Sequence, residues 1–316
     1  MIDVAAERDA WLVDHPERPL SVGGRRWGVI DIPATEPRSG DAPVDPGADA
    51  APEMLLLLPG SLGRADILWR VMSRLAGPVP MRSVTYPATP DMLVWCDDLL
   101  RMLDRAKVER AAVFGVSLGG YLAQHFAGRY PDRVSRLMVG STVASVEALE
   151  RTPPYSGDPS RTSMALVREG FGRGLQDWAV RHPGQADVVA MLLAETRGRI
   201  PARQMRARLM ALRHAPPAPS RPLPSARVSV IETLDDPVIA ARRPRRASRQ
   251  PAAGDRLSLS GRGASRLHHT PGPLRRGDGG RAGPGAAGAR TVGRRRAAVL
   301  CAPGPEYRRG QHRRRR

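Results

Sequence analysis

Residues 110–130 read R-A-A-V-F-G-V-S-L-G-G-Y-L-A-Q-H-F-A-G-R-Y, and the fold of the chain is decided there. Ala111 to Phe114 is a short apolar run of the kind that forms a buried strand. It enters Gly115-Val116-Ser117-Leu118-Gly119, a Gly-x-Ser-x-Gly turn, and a helical pattern follows at once. A reactive serine needs that context, because a sharp strand-to-helix turn holds its hydroxyl clear of both elements. Gly115 and Gly119 leave room for the tight backbone, where a Cβ would meet a neighbouring strand or helix. Leu118, Leu122 and Phe126 recur every four residues and give the helix a face for the core. A glycine-rich turn with an incidental serine would fit the five residues alone. The strand before and the helix after favour Ser117 as a nucleophile.

Met54 to Leu58 is a near-continuous apolar run, as in a strand buried on both faces of a parallel sheet. Pro59-Gly60-Ser61-Leu62-Gly63 follows it directly. Backbone N–H groups in such a loop can face a developing oxyanion, and we assign one donor to Ser61 and the other to Leu118. A plain strand-to-helix turn is the competing reading of Ser61 taken alone. Ala65 to Leu75 then reads as a helix and Met81 to Tyr86 as a strand. Thr89-Pro90-Asp91 opens a further helix with a cap, a first-turn proline and an acid at the positive dipole end. Met92, Trp95, Leu99, Met102 and Leu103 form its apolar face, and Cys96 is read as packing. Before Met54, the first nineteen residues form an amphipathic lead-in anchored by Trp11 and Leu12. Arg25 to Ile32 reads as an early strand, and residues 33–52, rich in Pro, Ala, Gly and Asp, as a flexible surface loop.

Beyond the serine turn, Val134 to Val139 is another strand ending at Gly140-Ser141-Thr142. Strand patterns then vanish from Val143 to Pro224. Helical stretches at Ser163–Phe171, Leu175–Arg181, Ala186–Glu195 and Pro201–Leu212 predict a helical lid over the serine. The basic face of Arg199 to Arg213 is read as solvated. Val228 to Ile231 restores a strand, and Glu232-Thr233-Leu234-Asp235-Asp236-Pro237 follows. A carboxylate just past a late strand can hold the tautomer of a catalytic histidine, so Asp235 or Asp236 is the candidate acid. His15, His125, His182 and His214 precede that acid and have the wrong chain order for its partner. The alternation of strands and helices predicts an α/β fold, a mostly parallel sheet flanked by helices, over residues 1–240.

The net charge of +19 is unevenly divided. Residues 1–240 carry 29 Lys+Arg against 28 Asp+Glu, and residues 241–316 carry 21 against 3. The latter segment has 53 Ala, Gly, Pro or Arg among 76 residues, only seven Leu or Val, and no Ile, Phe, Met or Trp. It cannot bury enough apolar surface to offset ordering entropy, so the expectation is a disordered basic tail in place of the last strand and helix. His268 and His269 stand at a suitable distance after the acid, but neither a strand nor a helix pattern flanks them. Moved by one nucleotide, permitted codons for residues 262–270 give Gly-Gly-His-His-Ala-Ser-Ile-Thr, a glycine-histidine loop where the base belongs. A frame-shifted ending is the reading this suggests. An arginine-rich arm for nucleic acid is the alternative, disfavoured because Tyr307 is the tail's lone aromatic residue.

No charged start followed by an apolar stretch indicates a signal peptide, and no apolar run approaches the roughly 20 residues that span a bilayer. Cys96 and Cys301 are the only cysteines and lack metal spacing, so neither a disulfide framework, a metal site nor a cofactor is expected. A cytoplasmic location is the default.

The stretches L-L-L-L-P-G-S-L-G-R-A-D-I-L-W-R, Y-P-A, W-C-D-D-L-L-R-M-L-D, F-G-V-S-L-G-G-Y-L-A-Q-H-F-A and V-S-V-I-E-T-L-D-D resemble the maspardin group of the α/β-hydrolases. They cover roughly residues 54–145 and 227–239. The resemblance implies a cytosolic α/β-hydrolase fold with Ser117 at the nucleophile position, and gapless matching favours Asp235 over Asp236. Members of that group are better regarded as interaction proteins than as proven enzymes. Two functions therefore follow as expectations: a serine hydrolase acting on an ester or related acyl substrate, inactive as written for want of its histidine segment, or a non-catalytic partner of another protein.

Overall fold

A computed structural model describes residues 3–35, 54–147, 149, 153–233, 255–259 and 266–267. Its centre is a nine-stranded sheet in the order β1-β2-β4-β3-β5-β6-β7-β8-β9. The strands are β1 (Arg18–Val22), β2 (Arg25–Ile32), β3 (Leu55–Leu58), β4 (Met81–Thr85), β5 (Ala111–Val116), β6 (Val134–Gly140), β7 (Val228–Thr233), β8 (Asp255–Leu259) and β9 (Arg266–Leu267). β4, β3, β5, β6, β7 and β8 run parallel, while β1, β2 and β9 pair antiparallel at the two edges. The helices are α1 (Val4–Asp14), α2 (Trp69–Leu75), α3 (Met92–Arg105), α4 (Leu118–Arg129), α5 (Met164–Arg181), α6 (Ala186–Ala194) and α7 (Ala202–Arg213). This is the α/β-hydrolase architecture: a mostly parallel sheet with helices on both faces.

Side chains alternate across a strand, and the two faces of the sheet build two cores. Leu56 and Leu58 join one cluster with Trp95, Leu99, Leu122 and Phe126 of α3 and α4. Leu57, between them, joins the other with Ile30, Met72, Phe171 and Leu192 of β2, α2, α5 and α6. The apolar run Met54–Leu58 is therefore buried on both faces, as its composition predicts. Asp98, fully buried on α3, accepts two bonds of 2.6 Å from Arg25 and one of 2.9 Å from the Trp27 indole. That paired carboxylate ties β2 at the antiparallel edge to helix α3.

Four expectations shift. The amphipathic lead-in ends earlier than its composition suggests, and Arg18–Val22 becomes an edge strand because β2 offers it a free ladder. Asp91 rather than Thr89 caps α3, its carboxylate accepting from the amides of Leu93 (2.9 Å) and Val94 (3.0 Å). α5 runs unbroken through Gly172 and Gly174, although the periodicity divides this stretch in two. Val167, Phe171, Leu175 and Trp178 all bury on one face, which outweighs a propensity cost of about 1 kcal/mol per glycine. Within the segment expected to lack structure, β8 pairs with β7 and β9 with β8. The remaining positions of residues 241–316 lie outside the described residues.

Candidate active site

Ser117 sits between β5 and α4 with φ 53° and ψ −119°. Those angles are those of the first central residue of a type II′ turn, where glycine is at home and a side chain is strained. Three hydrogen bonds hold it there. The Ser117 amide donates to the Gly140 carbonyl (2.9 Å), and the Ser117 carbonyl accepts from the Tyr121 amide (3.0 Å) and the Thr142 hydroxyl (2.8 Å). The result is an exposed serine flanked by buried Val116 and Leu118. Gly115 and Gly119 are required by close approach rather than by φ. A Cβ on Gly115 would lie 2.7 Å from the Gly120 nitrogen, and one on Gly119 would lie 2.5 Å from the Pro59 carbonyl oxygen.

The Pro59–Gly63 loop rests against the nucleophile. A Cβ on Gly60 would stand 3.4 Å from Ser117 Cβ and 4.0 Å from its Oγ. The loop closes on itself through a Gly63 amide to Gly60 carbonyl bond of 3.0 Å. Leu118 is the first residue of α4, so its amide has no carbonyl partner within the helix. The two residues assigned as donors thus adjoin the serine in chain or in space: Leu118 follows it, and Ser61 follows the Gly60 that rests against it.

Ser117 opens into a cleft of about 330 Å³, including its solvent-open mouth. Thr142 shares its polar edge, while Leu118, Val143, Leu149 and Leu212 form apolar walls and Tyr121 and Tyr155 aromatic ones. No charged residue and no histidine is among these lining residues. Tyr155 stands 3.4 Å from Ser61, hydroxyl to hydroxyl, and its surroundings exclude enough water to push its pKa upward. His125 does not reach the cleft: it is buried, its Nε2 lies 3.1 Å from the Pro216 carbonyl, and burial lowers its pKa. That matches a packing role. Asp235, Asp236, His268 and His269 lie outside the described residues, the first two just past the end of β7.

With Ser117 strained at a strand-helix turn, a glycine loop against it and Leu212 of α7 in the cleft wall, the decisive geometry is in place. A family model described as alpha/beta hydrolase fold matches residues 82–180. The chain has the α/β-hydrolase fold and is similar to maspardin. It is 34% identical over 155 residues to maspardin of Danio rerio, which covers 46% of this chain and 48% of that protein. The chain therefore spans about half the length of that relative. A homoserine O-acetyltransferase of Thermus thermophilus is 40% identical over 81 residues, covering 22% of this chain and 21% of the other. Among solved structures, a hydrolase from Pseudomonas aeruginosa superposes with a TM-score of 0.57 at 17% identity, covering 77% of this chain and 90% of that one. A thermophilic esterase from Thermogutta terrifontis gives 0.53 at 17% identity, with 70% and 80% covered. At such identities these two likenesses speak for the fold alone.

Sequence reading missed one important side chain. Arg208 on α7 belongs to the basic face expected to be solvated, yet it is fully buried. Its Nη1 donates to the carbonyls of Ser61 (2.9 Å) and Gly63 (2.8 Å), and its guanidinium lies over the Tyr86 ring at 5.3 Å. The signal existed: Met205, Arg208, Leu209 and Leu212 share the buried stripe of α7, so one cation falls in an apolar register. Arg213, near the end of α7, also turns back to donate to the Tyr155 carbonyl. Exposed Arg203 follows the expectation. Among the described residues no group of three or more His, Cys, Asp or Glu could hold a metal ion, and no helix is long and apolar enough to cross a membrane.

Proposed function

We propose that the chain is built as a serine hydrolase for a small, uncharged ester or related acyl substrate. The observation that carries this is the strained, exposed Ser117 opening into an apolar cleft with the Gly60-Ser61 loop at its side. In the reaction, Ser117 Oγ attacks the acyl carbonyl and passes its proton to a histidine. The amides of Ser61 and Leu118 receive the oxyanion. The tetrahedral adduct then expels an alcohol, which takes the proton back, and water hydrolyses the acyl-enzyme by the same route. Asp235 or Asp236 orients the histidine, for which His268 and His269 are the positions in the chain as written. The apolar and aromatic walls that Leu118, Val143, Leu149, Leu212, Tyr121 and Tyr155 give the cleft favour a short neutral acyl group, and the acetyl transferred by the homoserine O-acetyltransferase relative is of that kind.

The proposal includes a frame-shifted tail, in which the histidine loop is encoded but not translated. The gene across codons 238–270 tests it directly: an Ala264 codon other than GCA removes the first restored histidine. For the chain as written, p-nitrophenyl acetate hydrolysis should be slight, because loss of a triad member leaves a residual of roughly 10³–10⁴ over the water reaction. A fluorophosphonate probe should still modify Ser117 slowly and leave Ser117→Ala unlabelled. Brisk, Ser117-dependent hydrolysis by the chain as written would overturn the tail's part in this reading.

A second reading has its own support. The likeness to maspardin favours a non-catalytic cytoplasmic partner of another protein. A folded chain whose Ser117 stays unlabelled by the probe would select it.

A further inference from the structure

Arg208 is an unusual occupant of a core. It is fully buried, two of its nitrogens, Nε and Nη2, have no hydrogen-bond partner, and burial lowers its pKa to about 10, which leaves it charged at neutral pH. If its task were to fill space, an apolar side chain of similar length would do so without the cost of desolvating a cation. Its task must lie in the two bonds it makes, and both go to the loop beside the nucleophile.

We infer that Arg208 is a positioning residue, a clamp from the lid helix α7 that sets where the Ser61 amide points and so how readily Ser117 accepts a tetrahedral adduct. The inference rests on the hydrolase reading of Ser117. Three carbonyls of the loop are held from the protein side: Pro59 by the Tyr86 hydroxyl at 2.6 Å, and Ser61 and Gly63 by Arg208. In a planar trans peptide the carbonyl and the amide hydrogen point to opposite sides, so holding carbonyls aims amides. The peptide carrying the Ser61 amide has its own carbonyl, that of Gly60, engaged by Gly63. Arg208 grips that turn at both Ser61 and Gly63, and thereby fixes the Gly60-Ser61 plane against Ser117. Tyr86 links the two grips, since its hydroxyl holds Pro59 while its ring lies under the guanidinium. A second route from α7 ends at the same loop: Arg213 holds the Tyr155 carbonyl, and the Tyr155 hydroxyl meets the Ser61 hydroxyl at 3.4 Å. The lid is tied to the oxyanion side of the site rather than merely laid across it.

The test uses the full chain, the rate of Ser117 modification by a fluorophosphonate, and amide hydrogen exchange over residues 59–63. Arg208→Met should react about ten- to a hundred-fold more slowly than wild type, less than the roughly 10²–10³ lost with an oxyanion donor itself, because the donor is misaligned rather than removed. Its exchange should rise in the 59–63 segment and not across the sheet. Arg208→Lys, which keeps a buried cation able to donate to both carbonyls, should recover much of the rate. If Arg208→Met does not fold, Tyr86→Phe loosens the loop at Pro59 and should show the same slowing with the same local exchange. A labelled wild type with an equally reactive Arg208→Met variant would overturn the inference alone. So would slowing accompanied by faster exchange throughout the sheet, which marks a general structural role. A wild-type chain that is never labelled overturns the hydrolase reading and takes this inference with it.

Discussion

Replacing Ser117 by glycine should make the protein more stable than replacing it by alanine, and the backbone angles say by how much. Ser117 holds φ 53° and ψ −119°, a conformation that costs a residue with a Cβ on the order of 1–3 kcal/mol. Alanine keeps the Cβ and so keeps the strain; it removes only the hydroxyl, which is exposed. Glycine removes the strain, but it also gives the unfolded chain more freedom, a penalty of about 0.4–1 kcal/mol. The difference favours glycine by about 1 kcal/mol, and for a domain of this size that corresponds to a melting temperature higher by about 2–4 °C. The local bonds to Gly140, Tyr121 and Thr142 use only the Ser117 backbone, so both variants retain them. Parallel thermal melts of Ser117→Ala and Ser117→Gly, followed by circular dichroism, measure the difference. A Ser117→Gly variant that melts at or below the alanine variant would refute the claim that strain is stored at the nucleophile.

Two further outcomes follow from the same structure. Gly119→Ala should cost more than about 4 kcal/mol or abolish folding, since its Cβ would lie 2.5 Å from the Pro59 carbonyl oxygen and neither backbone can retreat; soluble protein with wild-type stability in urea would contradict the packing described here. Glu195, fully buried beside Arg199 and Asp66, has its pKa pushed up to about 7, chiefly by burial. A carboxyl group whose folded pKa lies above its unfolded one binds protons more tightly in the fold, so its stabilisation is complete below about pH 4.5 and is lost as pH rises through about 7, by up to about 3 kcal/mol. Glu195→Gln should flatten the fall in melting temperature between pH 5 and 8, and an unchanged slope would show that another group titrates there.

The legible parts of this protein were those written in local patterns. The five apolar residues Met54–Leu58, the turn Gly115–Gly119 and the four-residue repeat of Leu118, Leu122 and Phe126 each depend on neighbours a few positions away, and each forms the element its pattern predicts. Two elements were misread because a distant partner overrides the local rule. Arg18–Val22 becomes a strand only because β2 lies beside it, and the glycines of α5 stay helical only because Phe171, Leu175 and Trp178 have a core to enter.

The candidate site divides along the same line. Motif alone marks the Ser117 turn and the Pro59–Gly63 loop that rests against it, because strand-turn-helix chemistry is local; the candidate acids Asp235 and Asp236 lie outside the described residues. Which residues close around the serine is a long-range matter. Thr142, Leu149, Tyr155 and Leu212 come to the cleft from separate segments, and Arg208 reaches the loop across 147 positions of chain. An arginine's length and charge look the same in sequence whether it faces water or a pair of carbonyls. Only the packing of α7 against α4, α5 and the Ser61–Gly63 loop withdraws water from Arg208, and withdrawal of water turns a surface cation into a clamp.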